Sequence, residues 1–105
     1  MTDTIVVFMT AANADEARRI ANHLVESKLA GCVQILPEIE SVYRWEGKVQ
    51  RESEVLMLAK STTAQFAELE KAVRAIHSYE IPEIVAVPTA AVSESYRAWL
   101  ASNVS

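Results

Sequence analysis

Glycine, proline and cysteine are all scarce: two, three and one respectively in 105 residues. With Cys32 alone, no internal disulfide and no cysteine-pair metal site can form, and a reducing, cytoplasmic setting is the expectation. Gly31 and Gly47 are too far apart to build a glycine-rich phosphate loop. No apolar run approaches the ~18 residues of a membrane span. No basic stretch precedes the first apolar run, so no secretory leader is expected and no membrane partner. Positive charge is also in short supply, with 10 Lys and Arg against 14 Asp and Glu and a net charge of −4. A phosphate backbone would be repelled, so nucleic acid is not an expected partner. What remains is ordinary globular composition, 50% apolar and 23% charged, enough for one small domain over residues 1–105.

The punctuation marks short loops. Residues 4–10, β-branched and aromatic, read as a strand. Asn13 can cap a helix, with Glu16 three residues on in capping-box fashion. Ala17, Ile20, Ala21, Leu24, Val25 and Leu29 then make one apolar stripe, and Gly31 reads as the stop. Cys32 to Trp45 reads as a long strand broken at Pro37, where a bulge or edge position is expected. Trp45-Glu46-Gly47-Lys48 reads as a hairpin turn with Gly47 at positive φ. Val49 to Lys60 is the third strand. Thr62 caps a second helix with the stripe Phe66, Leu69, Ala72, Val73 and Ile76. Glu83 to Pro88 is a fourth strand, and Ser93 caps a short helix carrying Tyr96, Trp99 and Leu100. The order β-α-β-β-α-β plus a terminal helix is the α+β ferredoxin-like split βαβ pattern, with both long helices on one face of an antiparallel sheet.

Two features point to self-association. A sheet covered on one side should alternate apolar and polar, yet Ile5-Val6-Val7-Phe8-Met9, Val55-Leu56-Met57-Leu58-Ala59 and Ile84-Val85-Ala86-Val87 are apolar on both faces. The short last helix is too small to cover a whole sheet face. The hairpin is the second feature. Strands of this length reach roughly 43 Å at ~3.3 Å per residue, against a compact body roughly 33 Å across. The arm either overhangs the body or folds back at Pro37. Its tip carries Tyr43 and Trp45, residues common at interfaces.

Ala30-Gly31-Cys32-Val33-Gln34-Ile35, Ser41-Val42-Tyr43-Arg44-Trp45-Glu46-Gly47-Lys48, Glu54-Val55-Leu56-Met57-Leu58-Ala59-Lys60, His77-Ser78-Tyr79-Glu80-Ile81-Pro82-Glu83-Ile84 and Tyr96-Arg97-Ala98-Trp99-Leu100 together resemble the CutA divalent-cation tolerance family over nearly the whole chain. The resemblance implies a ferredoxin-like homotrimer related in architecture to the P-II signalling proteins, with sheets packed inward and hairpins embracing neighbours through Tyr43 and Trp45. It implies a non-enzymatic role in metal-ion tolerance with weak copper binding and no required cofactor. Copper-binding members carry a cysteine where Met9 stands and a histidine pair at positions 76 and 77. Here the residues are Met9 and Ile76-His77. A glycine common in the loop before the last helix is absent around Ala91-Val92.

The strand order places Met9 and His77 at one end of the domain and Cys32 at the other. Met9 and His77 are the candidate metal ligands, suited to Cu(I) through the soft thioether, with Tyr79 and Glu80 as candidate cleft or ligand support. Against that stands a plain helix-ending role for His77, favoured by the macrodipole. His77 lies outside the apolar stripe, so its removal is expected to spare the fold. Cys32 reads as a small buried hydrophobe and His23 as a solvated surface residue. Glu38, Glu40, Glu46, Glu52 and Glu54 collect cations weakly or pair with Arg44, Lys48 and Arg51. Rival βαββαβ functions fit poorly. An RNA-recognition domain needs aromatics on the third strand, a copper chaperone needs a cysteine pair after the first strand, and an acylphosphatase needs an Arg-bearing loop there. The reading is a trimeric, non-enzymatic protein holding copper, another divalent cation or a small ligand weakly. The alternative is a trimeric anchoring module with no metal ligand.

Overall fold

The computed structural model describes residues 2–105, and Met1 lies outside the described residues. The elements follow the order β1 (Thr4–Ala11), α1 (Ala14–Glu26), β2 (Cys32–Trp45), β3 (Lys48–Thr62), α2 (Phe66–Ile76), β4 (Ile84–Pro88) and α3 (Glu94–Asn103). The strands pair antiparallel in the order β2-β3-β1-β4. This is the ferredoxin-like α+β arrangement. Ile5, Val7, Met9 and Ala11 of β1 and Val55, Met57 and Ala59 of β3 point to one side. There they join Ala17, Ile20, Ala21 and Leu24 of α1 and Leu69 and Val73 of α2 in one buried core. The helical residues recur at three- and four-residue steps, so each helix turns one apolar stripe to the sheet. Val25 and Ile76 depart from their expected stripes and are exposed.

The other side of the sheet has no cover. Phe8 lies beside Leu58 and Val85, and Val6 lies beside Val87. Val85 and Val87 are 52% and 43% exposed. α3 reaches only the end of this face, where Tyr96 adjoins Cys32 opposite Lys60. It seats Leu100 against Gly31 just before β2, and the Ser105 amide donates to the Lys28 carbonyl at 3.0 Å.

Pro37 does what its chemistry requires. It sits on an edge strand, and the β2–β3 register slips between Leu36 and Ile39, with Glu38 at φ 60°. One extra residue reverses the side-chain alternation of the rest of β2. Ile39, Ser41, Tyr43 and Trp45 therefore share the uncovered face with Glu54, Glu52 and Gln50. Glu46 and Gly47, at φ 50° and 79°, close the hairpin as a two-residue turn whose twist suits the strands. The arm stretches the molecule to 44 × 26 × 23 Å.

Two expected boundaries are corrected. Gly31 does not stop α1. The helix ends at Glu26 and its exit runs through Lys28 at φ 62°. Gly31 is needed for the close approach of α3 instead. Thr62 precedes a short 3₁₀ turn (Thr63–Gln65) but its side chain accepts no capping bond. That turn is tied to Asp3, whose carbonyl accepts from the Thr63 amide at 2.9 Å.

Candidate functional site

Where β1 ends, α1 begins and α2 ends, four polar residues are knotted together. Asn13 Oδ1 accepts from the Glu16 amide at 2.8 Å and caps α1. The Glu16 carboxylate is buried. Its Oε1 accepts from the Ala12 amide at 3.0 Å and its Oε2 from the Ser78 amide at 2.7 Å. Burial opposes its ionisation, but these bonds and the nearby His77 ring outweigh that, and the carboxyl is held below its ordinary range. Glu16 thus fastens the turn after α2 to the N-terminus of α1.

The His77 side chain is wholly buried. Its Nε2 faces the Thr10 carbonyl at 2.7 Å, and its Nδ1 accepts from the Tyr79 amide at 3.0 Å. A carbonyl can only accept and an amide N–H can only donate. The ring is therefore the tautomer with its proton on Nε2, and both nitrogens are engaged. Tyr79 stacks obliquely on it with centroids 4.7 Å apart. The Tyr79 hydroxyl then donates to Glu54 Oε2 at 2.7 Å. Burial, the Glu54 acceptor and the charges of Glu54, Glu16 and Glu52 push the phenol far above its ordinary value. It remains a neutral donor across the working pH range.

Tyr79 forms one wall of a groove of about 680 Å³ on the uncovered sheet face. The arm supplies Tyr43, Trp45 and Glu52, the sheet supplies Thr10 and Glu54, and the turn supplies Tyr79, Glu80, Ile81 and Glu83. Four carboxylates line it and no Lys, Arg or His does. The expected cleft pair, Tyr79 and Glu80, and the expected interface pair, Tyr43 and Trp45, are thus drawn into a single feature.

Met9 and His77 do lie at one end of the sheet, because His77 bonds to the residue after Met9. The Met9 thioether, however, lies in the core, and metal binding by His77 would cost one of its two hydrogen bonds. No three His, Cys, Asp or Glu side chains among the described residues gather into a metal-holding group. His77 does end α2, as the plain alternative has it, and its buried ring is in addition tied to Thr10 and Tyr79. Cys32 stands at the opposite end as expected but is only half-buried. It neighbours Tyr96, whose phenol is raised by burial and by that thiol. Sequence reasoning found Glu16 as a cap but not its reach to Ser78. It placed Glu54 among solvated acids, although its position opposite Ile39 on the uncovered face makes it the buried floor of the groove.

Residues 5–103 match the family described as CutA1 divalent ion tolerance protein. The chain belongs to this family. It is 46% identical to the divalent-cation tolerance protein CutA of Thermus thermophilus, over 93% of this chain and 95% of that one. It is 43% identical to the chloroplastic protein CutA of Arabidopsis thaliana, over 95% of this chain and 55% of that one. The chain thus spans about half the length of the plant relatives it matches. Among solved structures, the divalent cation tolerance protein of Thermus thermophilus superposes with a TM-score of 0.95 at 44% identity, covering 97% of this chain and 99% of that one. A structure described as the periplasmic divalent cation tolerance protein CutA from Archaeoglobus fulgidus gives 0.94 at 37% identity, covering 97% and 99%. CutA relatives are therefore described from more than one compartment. In this CutA-family chain, no helix among the described residues is long and apolar enough to cross a membrane.

Proposed function

We propose that this CutA-family chain works as a homotrimer in divalent-cation tolerance, without enzymatic activity, and holds a cationic ligand weakly. The observation that carries the reading is the uncovered sheet face. Val6, Phe8, Leu56, Leu58, Val85 and Val87 form a continuous apolar surface across three strands, the kind of patch that marks an interaction site. Further copies of the same face are the simplest cover, and the family resemblance supplies the number three. Tyr43 and Trp45 stand on the arm where a neighbour would approach. A cytoplasmic setting is part of the reading and rests on the lone cysteine.

A cation is favoured because the groove is lined by carboxylates alone among charged groups. Copper at Met9 and His77, implied by the resemblance, demands that the His77 ring abandon Thr10 or Tyr79. Affinity through that pair is therefore expected to be micromolar or poorer. Sedimentation equilibrium tests the assembly, with a mass three times the 11.6 kDa chain expected and a monomer overturning it. Thermal unfolding with Cu(I), Cu(II) and Zn(II) tests the metal. A ligand at 100 times its Kd adds about 2.7 kcal/mol. A trimer indifferent to all three ions would favour the anchoring-module reading.

A further inference from the structure

We propose that the charged residues of the arm act as a register lock, which holds Tyr43 and Trp45 on the side of the sheet that meets a second copy of the chain. The inference rests on the homotrimer reading above and names what decides which side of the arm the partner meets.

Two parts of the hairpin keep different registers. In the body Leu36 lies opposite Leu56, while along the arm Ile39 lies opposite Glu54 and Trp45 opposite Lys48. The two registers differ by one residue. The difference is absorbed at Pro37 and Glu38, where Glu38 takes φ 60°. That left-handed conformation is one that non-glycine residues seldom adopt. Continuing the body register through the arm would remove both the bulge and this strain. Arg44 would then lie opposite Lys48, and the hairpin would close on Trp45-Glu46-Gly47, a loop length that hairpins commonly use. The slipped arm is therefore a real competitor, and a one-residue slip turns every side chain of the slipped strand to the other face.

The charges decide between the two. After the slip Glu38 would lie directly opposite Glu54, Glu40 opposite Glu52 and Arg44 opposite Lys48. All three pairs are like-charged, and like charges directly opposite are destabilising. In the observed register no like charges oppose each other. Ile39 faces Glu54, Ser41 faces Glu52, Trp45 faces Lys48, and Arg51 reaches Glu40 at 3.1 Å. The slip would also carry Ile39, Ser41 and Tyr43 to the helix side and put Glu38, Glu40 and Val42 in their place. The apolar face of Val6, Phe8, Leu56 and Leu58 would then run into an acidic arm. In the observed register it runs on through Ile39 to Tyr43 and Trp45, one continuous surface for a second copy.

The test traps the register with engineered cysteine pairs in a Cys32→Ser background, oxidised by glutathione disulfide. Val42 and Arg51 are opposite in the observed register, so Val42→Cys with Arg51→Cys should close. Val42 and Gln50 point to opposite faces and would be opposite only after the slip. Val42→Cys with Gln50→Cys should close more slowly by about tenfold or more. Mass spectrometry of the denatured, unreduced chain separates closure within a chain from links between chains. Glu38→Lys with Glu40→Lys sets opposite charges across the slipped arm and should speed closure of the Val42–Gln50 pair by about tenfold or more. Without the added cysteines, the same two lysines should weaken assembly in sedimentation, with far-UV circular dichroism checking the fold. Should that variant fail to fold, Glu38→Gln with Glu40→Gln removes the like charges without reversing them and should speed closure by a smaller factor. Equal closure of the two pairs with the parent charges, or slow Val42–Gln50 closure in both charge variants, would overturn the lock. A slipped arm that keeps the parent's mass would overturn its tie to assembly. Closure is read within one chain, so the expected rates in a monomeric parent would support the lock while the proposed assembly failed.

Discussion

His77 Nε2 donates to the Thr10 carbonyl oxygen at 2.7 Å, so the residue that ends α2 is pinned to the C-terminal end of β1. The same ring accepts from the Tyr79 amide and sets the start of the turn that walls the groove.

His77→Ala should therefore be costly, against the sequence-based expectation that it spares the fold. It leaves the Thr10 carbonyl and the Tyr79 amide without partners in a buried place. At roughly 1–3 kcal/mol for each unsatisfied group, a loss of about 2–4 kcal/mol is expected. His77→Gln keeps a donor for Thr10 and should recover part of it. Urea unfolding at fixed protein concentration measures both. An unchanged midpoint for His77→Ala would show that water replaces the ring at both positions.

Glu16 should make stability sensitive to acid. Burial raises its pKa, but the Ala12 and Ser78 hydrogen bonds and the His77 ring lower it more, so the folded value lies below the ordinary 4.5. A depressed carboxyl stabilises the fold above its unfolded value, and that contribution fades as pH falls through the folded one. Glu16→Gln should be less stable than the parent at neutral pH, by about 1–3 kcal/mol for the lost charged acceptor. The gap should narrow as pH drops below 4.5. A gap constant down to pH of about 3 would mean that Glu16 is not the titrating group.

Most of the fold was legible because it is written in short-range patterns. The stripes of α1 and α2, apart from Val25 and Ile76, the two-faced strands, the break at Pro37 and the Glu46-Gly47 turn each rest on local chemistry and are found in place. The site was less legible because it is built from long-range contacts. Glu16 meets Ser78 across 62 positions and Tyr79 meets Glu54 across 25. Spacing along the chain carries no trace of either. His77 looked dispensable to the fold because helix periodicity says nothing about which β-strand carbonyl faces the end of that helix. Gly31 shows the same limit. Its position suggested a helix stop, and only the packed structure shows that its missing side chain makes room for α3.

Gly31→Ala should reveal that close approach. A Cβ built on Gly31 falls 2.5 Å from Leu100 Cδ1. Leu100 is almost fully buried, yet its tip can rotate, so the cost should sit at the low end of overpacking, about 1 kcal/mol. Leu100→Ala alone opens a cavity and should cost about 2–5 kcal/mol. The double variant should be more stable than the sum of the two single effects implies, because the new methyl enters the vacated space. Additive effects in thermal unfolding would show that α3 shifts away as a unit.

Phe8→Glu should break the assembly and leave the chain folded. Phe8 sits in the middle of the uncovered face, flanked by Leu58 on β3 and Val85 on β4. Its side chain points away from the core formed by its neighbours Val7 and Met9. A carboxylate there remains hydrated in an isolated chain, so far-UV circular dichroism should match the parent. Between copies it would be buried among apolar side chains, with the one basic group on the face around it, Lys60, already bonded to Gln34, a cost of several kcal/mol per chain. Sedimentation should then report the 11.6 kDa monomer. Trp45→Ala makes the comparison informative, since it trims the arm and leaves the face apolar. That variant should assemble more weakly than the parent and more strongly than Phe8→Glu. If Phe8→Glu keeps the parent's mass, the copies meet elsewhere, and the two-faced strands must be covered by something other than this chain.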